Sequence, residues 1–349
     1  MDPISQATLG AACAQATQRA QLGWLAFFGI VAGMAPDLDV LISSRSDPLL
    51  FLVYHRQFSH SLLFIPFGAL LITLVLFWLP KQPLPFARAY LASFAGYATH
   101  GLLDACTSYG TQLLWPFSDV RISWNLISVI DPLFTLPLLA TVVLALKKQR
   151  RLLATAGLGW AFTYLGIGFW QQLRVTDAAE TLARTRQHQP ERLLVKPAFG
   201  NLVLWKSVYA HEGHFFVDGH HAAGDVSHCG GERIAELELA RDFRELPPQH
   251  QQARDIERFR WFSTGYIARL DSGLESLVID VRYANLPNRI APLWGIVVDP
   301  AAPLDQHAAW WANRKLSPAQ RAEFGSLLKG RSCRPTQLAT RPPAAAEAE

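Results

Sequence analysis

The sequence predicts an α-helical integral membrane bundle of five to six helices, followed by a small soluble α+β domain that is mainly antiparallel β. Three observations carry this expectation. Half of the 349 residues are hydrophobic and only 17% are charged, a low charge density for a wholly soluble chain. The charges are also unevenly spread, sparse and clustered up to Gln172 but dense and proline-punctuated from Arg174 onward. Finally, the first half contains apolar runs of about 20 residues, the length a helix needs to cross a bilayer. The expected division is a membrane domain at 1–173, a β-rich domain with a helical insertion at 174–335, and a disordered tail at 336–349 whose RPPAAAEAE is low-complexity.

Taken in order, Asp2-Pro3 opens a short helix of small residues at Ile4–Thr17, with proline where a helix start tolerates it. This stretch lacks the basic n-region and long apolar core of a secretion signal, so it is expected to stay on the protein. Spans follow at Leu22–Ile42, Ser61–Leu79, Phe86–Ala105, Ser128–Leu146 and Leu152–Leu173. Arg19, the pair Lys81 and Arg88, and the cluster Lys147, Lys148, Arg150 and Arg151 fall in alternate loops. Basic residues favour the cytoplasmic side, which predicts a multi-pass inner (plasma) membrane protein whose C-terminal domain is extracytoplasmic (periplasmic). Arg45, Arg56 and Arg121 lie on the opposite side and dilute the asymmetry. In the second half, Leu202–Tyr209, His214–Val217, Gly265–Arg269 and Leu277–Tyr283 read as strands, and Glu232 to Arg258 as helical.

This topology gathers the polar residues at one face of the membrane. APDLDV puts Asp37 and Asp39 at the end of one span, and YHRQFSHS puts His55, Arg56 and His60 at the start of the next. ATHGLLDA carries His100 and Asp104, four apart and therefore on one helix face, as two ligands of one ion would be. Ionisable groups at membrane depth are costly unless paired, hydrated or metal-bound, which makes them functional candidates. Mixed imidazole and carboxylate donors suit Zn²⁺, Mn²⁺ or Fe²⁺ better than Mg²⁺ or Ca²⁺. Arg56 offers a fork for a carboxylate or phosphate. Asp131, directly before Pro132, reads as a helix cap, and Ser59 or Ser61 as a cap for the helix from Leu62.

These motifs resemble the membrane-bound metal-dependent hydrolases of the YdjM type. The resemblance rests on MDPISQATLG, GMAPDLDV, HRQFSHS, THGLLDACTSYGTQLLWPFS and WNLISVIDPLFTLPLL, and it spans the membrane half. It implies a multi-span inner-membrane protein with a divalent-metal site. Carried over by position, the PDLD carboxylates match Asp37 and Asp39, the histidine pair His55 and His60, and HxxxD His100 and Asp104. The family commonly reads MDPxTH at the start, where this chain has Gln6, a poor transition-metal ligand. FGNLVLWKSVYAHEGHFFV, RFRWFSTGYIARL and LVIDVRYANLP resemble the C-terminal region of longer relatives.

The function expected is metal-dependent hydrolysis of an ester or phosphoester. Asp37, Asp39, His55, His60, His100 and Asp104 surround a divalent metal, zinc or manganese; Asp37, His55, Arg56 and Asp104 serve catalysis, and Gln6 and Asp131 are additional candidates. Access from the outer face of the membrane suggests a lipid or lipid-linked substrate. The alternative is a non-enzymatic membrane protein, either a metal-ion carrier or a scaffold with a structural metal and a partner-binding β domain. Nucleic acid is not an expected partner, because a net charge of +4 without a basic stripe gives no electrostatic footprint. Of four cysteines, Cys13, Cys106, Cys229 and Cys333, the last two either pair in an oxidising compartment or remain free thiols. The histidines of HEGHFFVDGHHAAGDVSH, His211, His214, His220, His221 and His228, match no compact metal pattern and are expected in a solvated loop.

Overall fold

The computed structural model describes residues 1–272 and 275–335; the expected tail at 336–349 lies outside them. The helical part consists of α1 (Pro3–Thr17), α2 (Leu22–Met34), a 3₁₀ turn at Ala35–Leu41, α3 (Leu50–Tyr54), short 3₁₀ turns at Phe58–His60 and Leu62–Phe64, α4 (Ile65–Phe77), α5 (Phe86–Ala105), α6 (Pro132–Lys148) and α7 (Arg151–Thr185). Asp2 caps α1 through the amides of Ile4 and Ser5, and Asp131 caps α6 through those of Leu133 and Phe134. Among the described residues two helices are long and apolar enough to cross a membrane, Leu22–Leu41 and Arg151–Thr185. Leu50–His60 with Leu62–Phe77 would make a third as one broken span, bent by 52°. The remaining expected spans coincide with α1, α5 and α6, which are shorter or more polar.

Glycines set how closely three of these helices approach. A Cβ on Gly10 of α1 would lie 2.4 Å from the Gly29 carbonyl oxygen of α2, and one on Gly96 of α5 would lie 2.5 Å from the same atom. Without side chains there, the three backbones touch, as small residues permit at helix interfaces in membranes. The contact draws the start of α1, the end of α2 and the last turns of α5 to one place.

The C-terminal part is two antiparallel sheets. The first runs in the order β1 (Arg192–Pro197), β2 (Leu204–His211), β3 (His214–His221), β4 (Ser227–Ala235) and β9 (Arg334–Pro335). The second runs β5 (Ile267–Ser272), β6 (Glu275–Asp280), β7 (Trp294–Val298) and β8 (Ala309–Ala312). Val208, Phe215 and Val217 of the first sheet share a core with Ala268 and Ile279 of the second. The helices here are α8 (Leu239–Asp242), α9 (Gln251–Phe262) and α10 (Pro318–Leu328). Cys229 and Cys333 form a disulfide that ties β4 to the segment after α10.

Three sequence expectations change. The segment from Glu232 to Arg258 is not one helix: β4 continues to Ala235, where its alternation fits a strand, and helix resumes in α8 and α9. The histidine-rich stretch is not a solvated loop but mostly the β3–β4 pair. His220 is fully buried because Ser207 Oγ supplies a partner at 2.8 Å, and His228 Nε2 donates to Asp218 at 2.8 Å. Third, α7 continues as one helix to Thr185, past the division expected at 173.

The two parts also share cores. Val195, Leu202 and Trp205 pack in one cluster with Phe134, Leu138 and Val175, while Leu49 and Leu52 are buried among Phe243, Ile256 and Phe259. Arg258 forks onto Asp47 at 2.7 and 3.0 Å, with both side chains partly buried. Buried Arg282 pairs with Asp280 at 2.7 Å, so the DVR segment holds a structural ion pair.

Candidate metal centre

Pro36 has no backbone N–H to continue α2, and the chain tightens into the 3₁₀ turn that carries Asp37 and Asp39. The turn at Phe58–His60 then packs on α5 because residue 101 is glycine; a Cβ there would lie 2.2 Å from the His60 carbonyl oxygen. Its position is held by Gln112 N donating to the Arg56 carbonyl at 3.0 Å and Leu62 N to the Leu113 carbonyl at 2.9 Å. His100 and Asp104 occupy one face of the last turns of α5, both fully buried.

Four ligand atoms converge. His60 Nε2 lies 2.9 Å from His100 Nε2, 3.4 Å from Asp37 Oδ1 and 3.3 Å from Asp104 Oδ2. His100 Nε2 lies 3.4 Å from Asp37 Oδ1 and 3.7 Å from Asp104 Oδ2. One ligand atom from each of the four residues falls within 4.8 Å of every other.

The outer nitrogens fix the tautomers. His100 Nδ1 lies 2.6 Å from the Gly33 carbonyl oxygen, which can only accept, so Nδ1 carries the proton. Ser59 Oγ donates to Asp39 Oδ2 at 2.8 Å, which leaves His60 Nδ1 donating to Ser59 Oγ at 3.0 Å or to Asp39 Oδ2 at 3.2 Å. In their neutral forms both imidazoles therefore turn Nε2 lone pairs inward, against two carboxylate oxygens. A divalent cation suits four ligand atoms that face one another this closely, and Asp104 Oδ2, though ion-paired to Arg56 Nε at 3.1 Å, has no hydrogen-bond partner. The set fits a divalent metal with two imidazole and two carboxylate donors, each imidazole oriented from behind.

The other expected residues take distinct places. Asp39 accepts from the Arg56 amide at 3.0 Å and from Ser59, and lies 2.7 Å from His55 Nδ1. Its oxygens are thus largely committed to orienting neighbours, although Asp37, Asp39 and His55 also form a three-residue group with ligand atoms within 4.8 Å. Arg56 is not a free fork. Its Nε lies 3.1 Å from Asp104 Oδ2, Nη1 donates to Thr107 Oγ1 at 3.2 Å, and the guanidinium stacks 4.6 Å from the Tyr109 ring centroid. Gln6 is in the site as a donor, with Nε2 giving hydrogen bonds to Asp104 Oδ1 at 2.9 Å and the His100 carbonyl at 3.3 Å. The Met1 amino group bonds to the same carboxylate.

Asp131 is not among the converging residues. Its carboxylate is satisfied by the first amides of α6 and by Tyr164 Oη at 2.9 Å, a cap rather than a ligand. The sequence offers Ser59 only as a helix cap, a place Ser61 takes instead, and gives no sign of the Gly33 carbonyl. The contact of Ser59 with Asp39 spans 20 residues of sequence, and a backbone carbonyl has no side-chain signature.

Residues 1–175 match the family described as YdjM inner membrane protein. An uncharacterized protein, YfhP, of Bacillus subtilis is 26% identical over 115 residues, covering 33% of this chain and 35% of that one. The inner membrane protein YbcI of Escherichia coli is 32% identical over 111 residues, covering 30% of this chain and 62% of that one. Both relatives are matched over less than two thirds of their own length. No solved structure matches the chain.

Proposed function

Because this chain belongs to the YdjM inner membrane protein family, we propose that it is a multi-pass membrane hydrolase that cleaves an ester or phosphoester bond with the help of a divalent metal, zinc or manganese. The observation that carries this reading is the inward convergence of His60 Nε2, His100 Nε2, Asp37 Oδ1 and Asp104 Oδ2, with both histidine tautomers fixed from outside. Bound there, a divalent metal would supply Lewis acidity and acidify a water at neutral pH.

The chain's own residues supply the rest. Gln6 and the Met1 ammonium hold Asp104 through Oδ1 and leave Oδ2 toward the cluster, where the Arg56 guanidinium offsets its charge from the side. His55 is partly exposed and oriented by Asp39 through Nδ1, leaving Nε2 for a proton, the general acid–base role that a carboxylate-held imidazole fills. Exposed Leu71 and Val75 on α4, Leu133 and Leu136 on α6, and Phe162 and Trp170 on α7 give these helices the apolar exterior of membrane-embedded segments, which supports a multi-pass arrangement beyond the two long helices. With the centre at one end of the bundle, beneath the β sheets, we place that end and the C-terminal part on the periplasmic side, within reach of a lipid or lipid-linked substrate.

The test is metal content by elemental analysis of purified protein, wild type against His60→Ala and Asp104→Asn, beside a screen of phosphoester and carboxylester hydrolysis. The reading expects about one equivalent or more of metal in wild type and its loss in both variants. Equal metal content in all three proteins would sink the site.

A further inference from the structure

A cavity of about 690 Å³ lies between the end of the helical bundle and the two sheets. Asp37, His55 and Arg56 line one side, so it opens directly onto the metal centre. The opposite side belongs to the C-terminal part and includes Lys196, Lys206, Tyr283 and Trp294.

Lys196 of β1 and Lys206 of β2 are direct cross-strand partners in the antiparallel register. Like charges in that position share a face and repel. Lys206 is only 2% exposed, and its ammonium donates to a single carbonyl, that of Arg289, at 3.0 Å. The Lys196 ammonium lies over the Tyr283 ring, 4.6 Å from its centroid. Among the described residues neither lysine has a carboxylate within salt-bridge distance, although buried ammonium groups are ordinarily paired. Two further groups of the same wall, Tyr283 Oη and Trp294 Nε1, are buried without a hydrogen-bond partner. All four are donors. A wall of unpaired donors and opposed cations lacks an anion with several acceptor oxygens.

We propose that this cavity binds the phosphoryl group of the substrate, with Lys196 and Lys206 as its anchors. A phosphate supplies up to two negative charges to two ammonium groups and enough oxygens for the neighbouring phenol and indole. Val40, Phe51 and Phe199 line the same cavity and give an attached hydrocarbon chain an apolar wall. The proposal deepens the hydrolase reading and rests on it for the role of the bound group. It assigns the C-terminal part a share in the site: the sheets supply the anion-binding wall and the bundle supplies the metal ligands.

The experiment uses the full chain in nanodiscs and titrates inorganic phosphate by calorimetry and vesicles of phosphatidylcholine with or without phosphatidic acid by co-sedimentation. Wild type is compared with Lys196→Met, Lys206→Met and the metal-site variant His60→Ala. Saturable binding of phosphate, or vesicle binding that requires phosphatidic acid, is expected, the first marking a soluble phosphoester site and the second a lipid headgroup. Each lysine variant should lose about tenfold or more in affinity, the scale of one charged hydrogen bond, with metal content unchanged. Removing one of two opposed cations should also leave the unliganded protein no less stable. Absence of binding in wild type, wild-type affinity in both lysine variants, or lysine variants that fail to fold would overturn the proposal. Loss of metal in wild type with lysine-dependent phosphate binding intact would instead overturn the hydrolase reading alone.

Discussion

His60 and His100 come from segments 40 residues apart and meet with their Nε2 atoms 2.9 Å from each other. With both rings neutral and protonated at Nδ1, a cation between them satisfies both lone pairs. Metal removal is therefore expected to lower the thermal stability of wild type, and re-addition to restore it. A metal held at about 100-fold above its dissociation constant contributes about 2.7 kcal/mol. Thermal melts with and without a chelator check this. In the His60→Ala, His100→Ala double variant the chelator should shift nothing, whereas a chelator shift equal to wild type would place the stabilising metal elsewhere.

The close approach of Gly101 to the His60 carbonyl gives a second expectation. A Cβ at residue 101 would lie 2.2 Å from that oxygen, inside any real contact, and the oxygen is backbone that cannot rotate away. Gly101→Ala should push the Phe58–His60 turn off α5 and lower metal affinity at least ~10-fold without touching a ligand, the range seen when the groups orienting a ligand are disturbed. Gly159→Ala, at a position where an added Cβ meets nothing within 4 Å, is the control. Competition with a fluorescent chelator reads both; equal affinity in the two variants would show that the turn tolerates displacement.

What the sequence disclosed about this site, and what it withheld, follows from where the determinants lie. Asp37, His60, His100 and Asp104 stood out because ionisable groups are conspicuous on an apolar background and HxxxD spacing fixes a shared helix face. The separation of Asp39 and His55 from the four converging residues was not legible, because it depends on Ser59 and on the Gly33 carbonyl. Gln6 was legible as a departure from a histidine but not as a donor to Asp104, since its orientation is set by the acceptors around it. In the β part, alternation located β2, β3, β5 and β6. RLLVKP is short and ends in proline, weak marks of a strand, so the register that opposes Lys196 to Lys206 is not legible in the sequence. The burial of His220 was missed for a similar reason: Ser207, the partner that makes it tolerable, sits on another strand.

The disulfide gives a prediction about both stability and compartment. Cys229 and Cys333 are 104 residues apart, so the bridge closes a long loop of the unfolded chain. By the chain-entropy account such a loop contributes on the order of 4–5 kcal/mol. Cys333→Ser should lower the denaturation midpoint of the C-terminal part, followed by tryptophan fluorescence, and a reductant should lower wild type but not the variant. In cells, the periplasmic placement proposed above requires both thiols to resist maleimide labelling until reduced. Ready labelling without reductant would put this part in a reducing compartment.

The opposed lysines predict how anion binding depends on pH. Burial, with the neighbouring Lys196 ammonium, pushes Lys206 down to about 7, and burial with Arg282 pushes Lys196 down to about 8. Asp280 pulls both the other way, and Glu232 also acts on Lys206, without restoring either to the ordinary lysine value. An anion requires the charged forms, so phosphate affinity should be greatest below pH 7 and fall as pH rises through 7 to 8. Binding near pH 8 should take up protons, visible as a dependence of the calorimetric enthalpy on the buffer's ionisation heat. Stability of the unliganded protein should move the opposite way. Between these folded values and the unfolded value of 10.5 the unfolded chain binds more protons, so rising pH stabilises the fold. Lys206→Met should flatten both profiles above pH 7, and an unchanged affinity profile in that variant would remove Lys206 from the anion site.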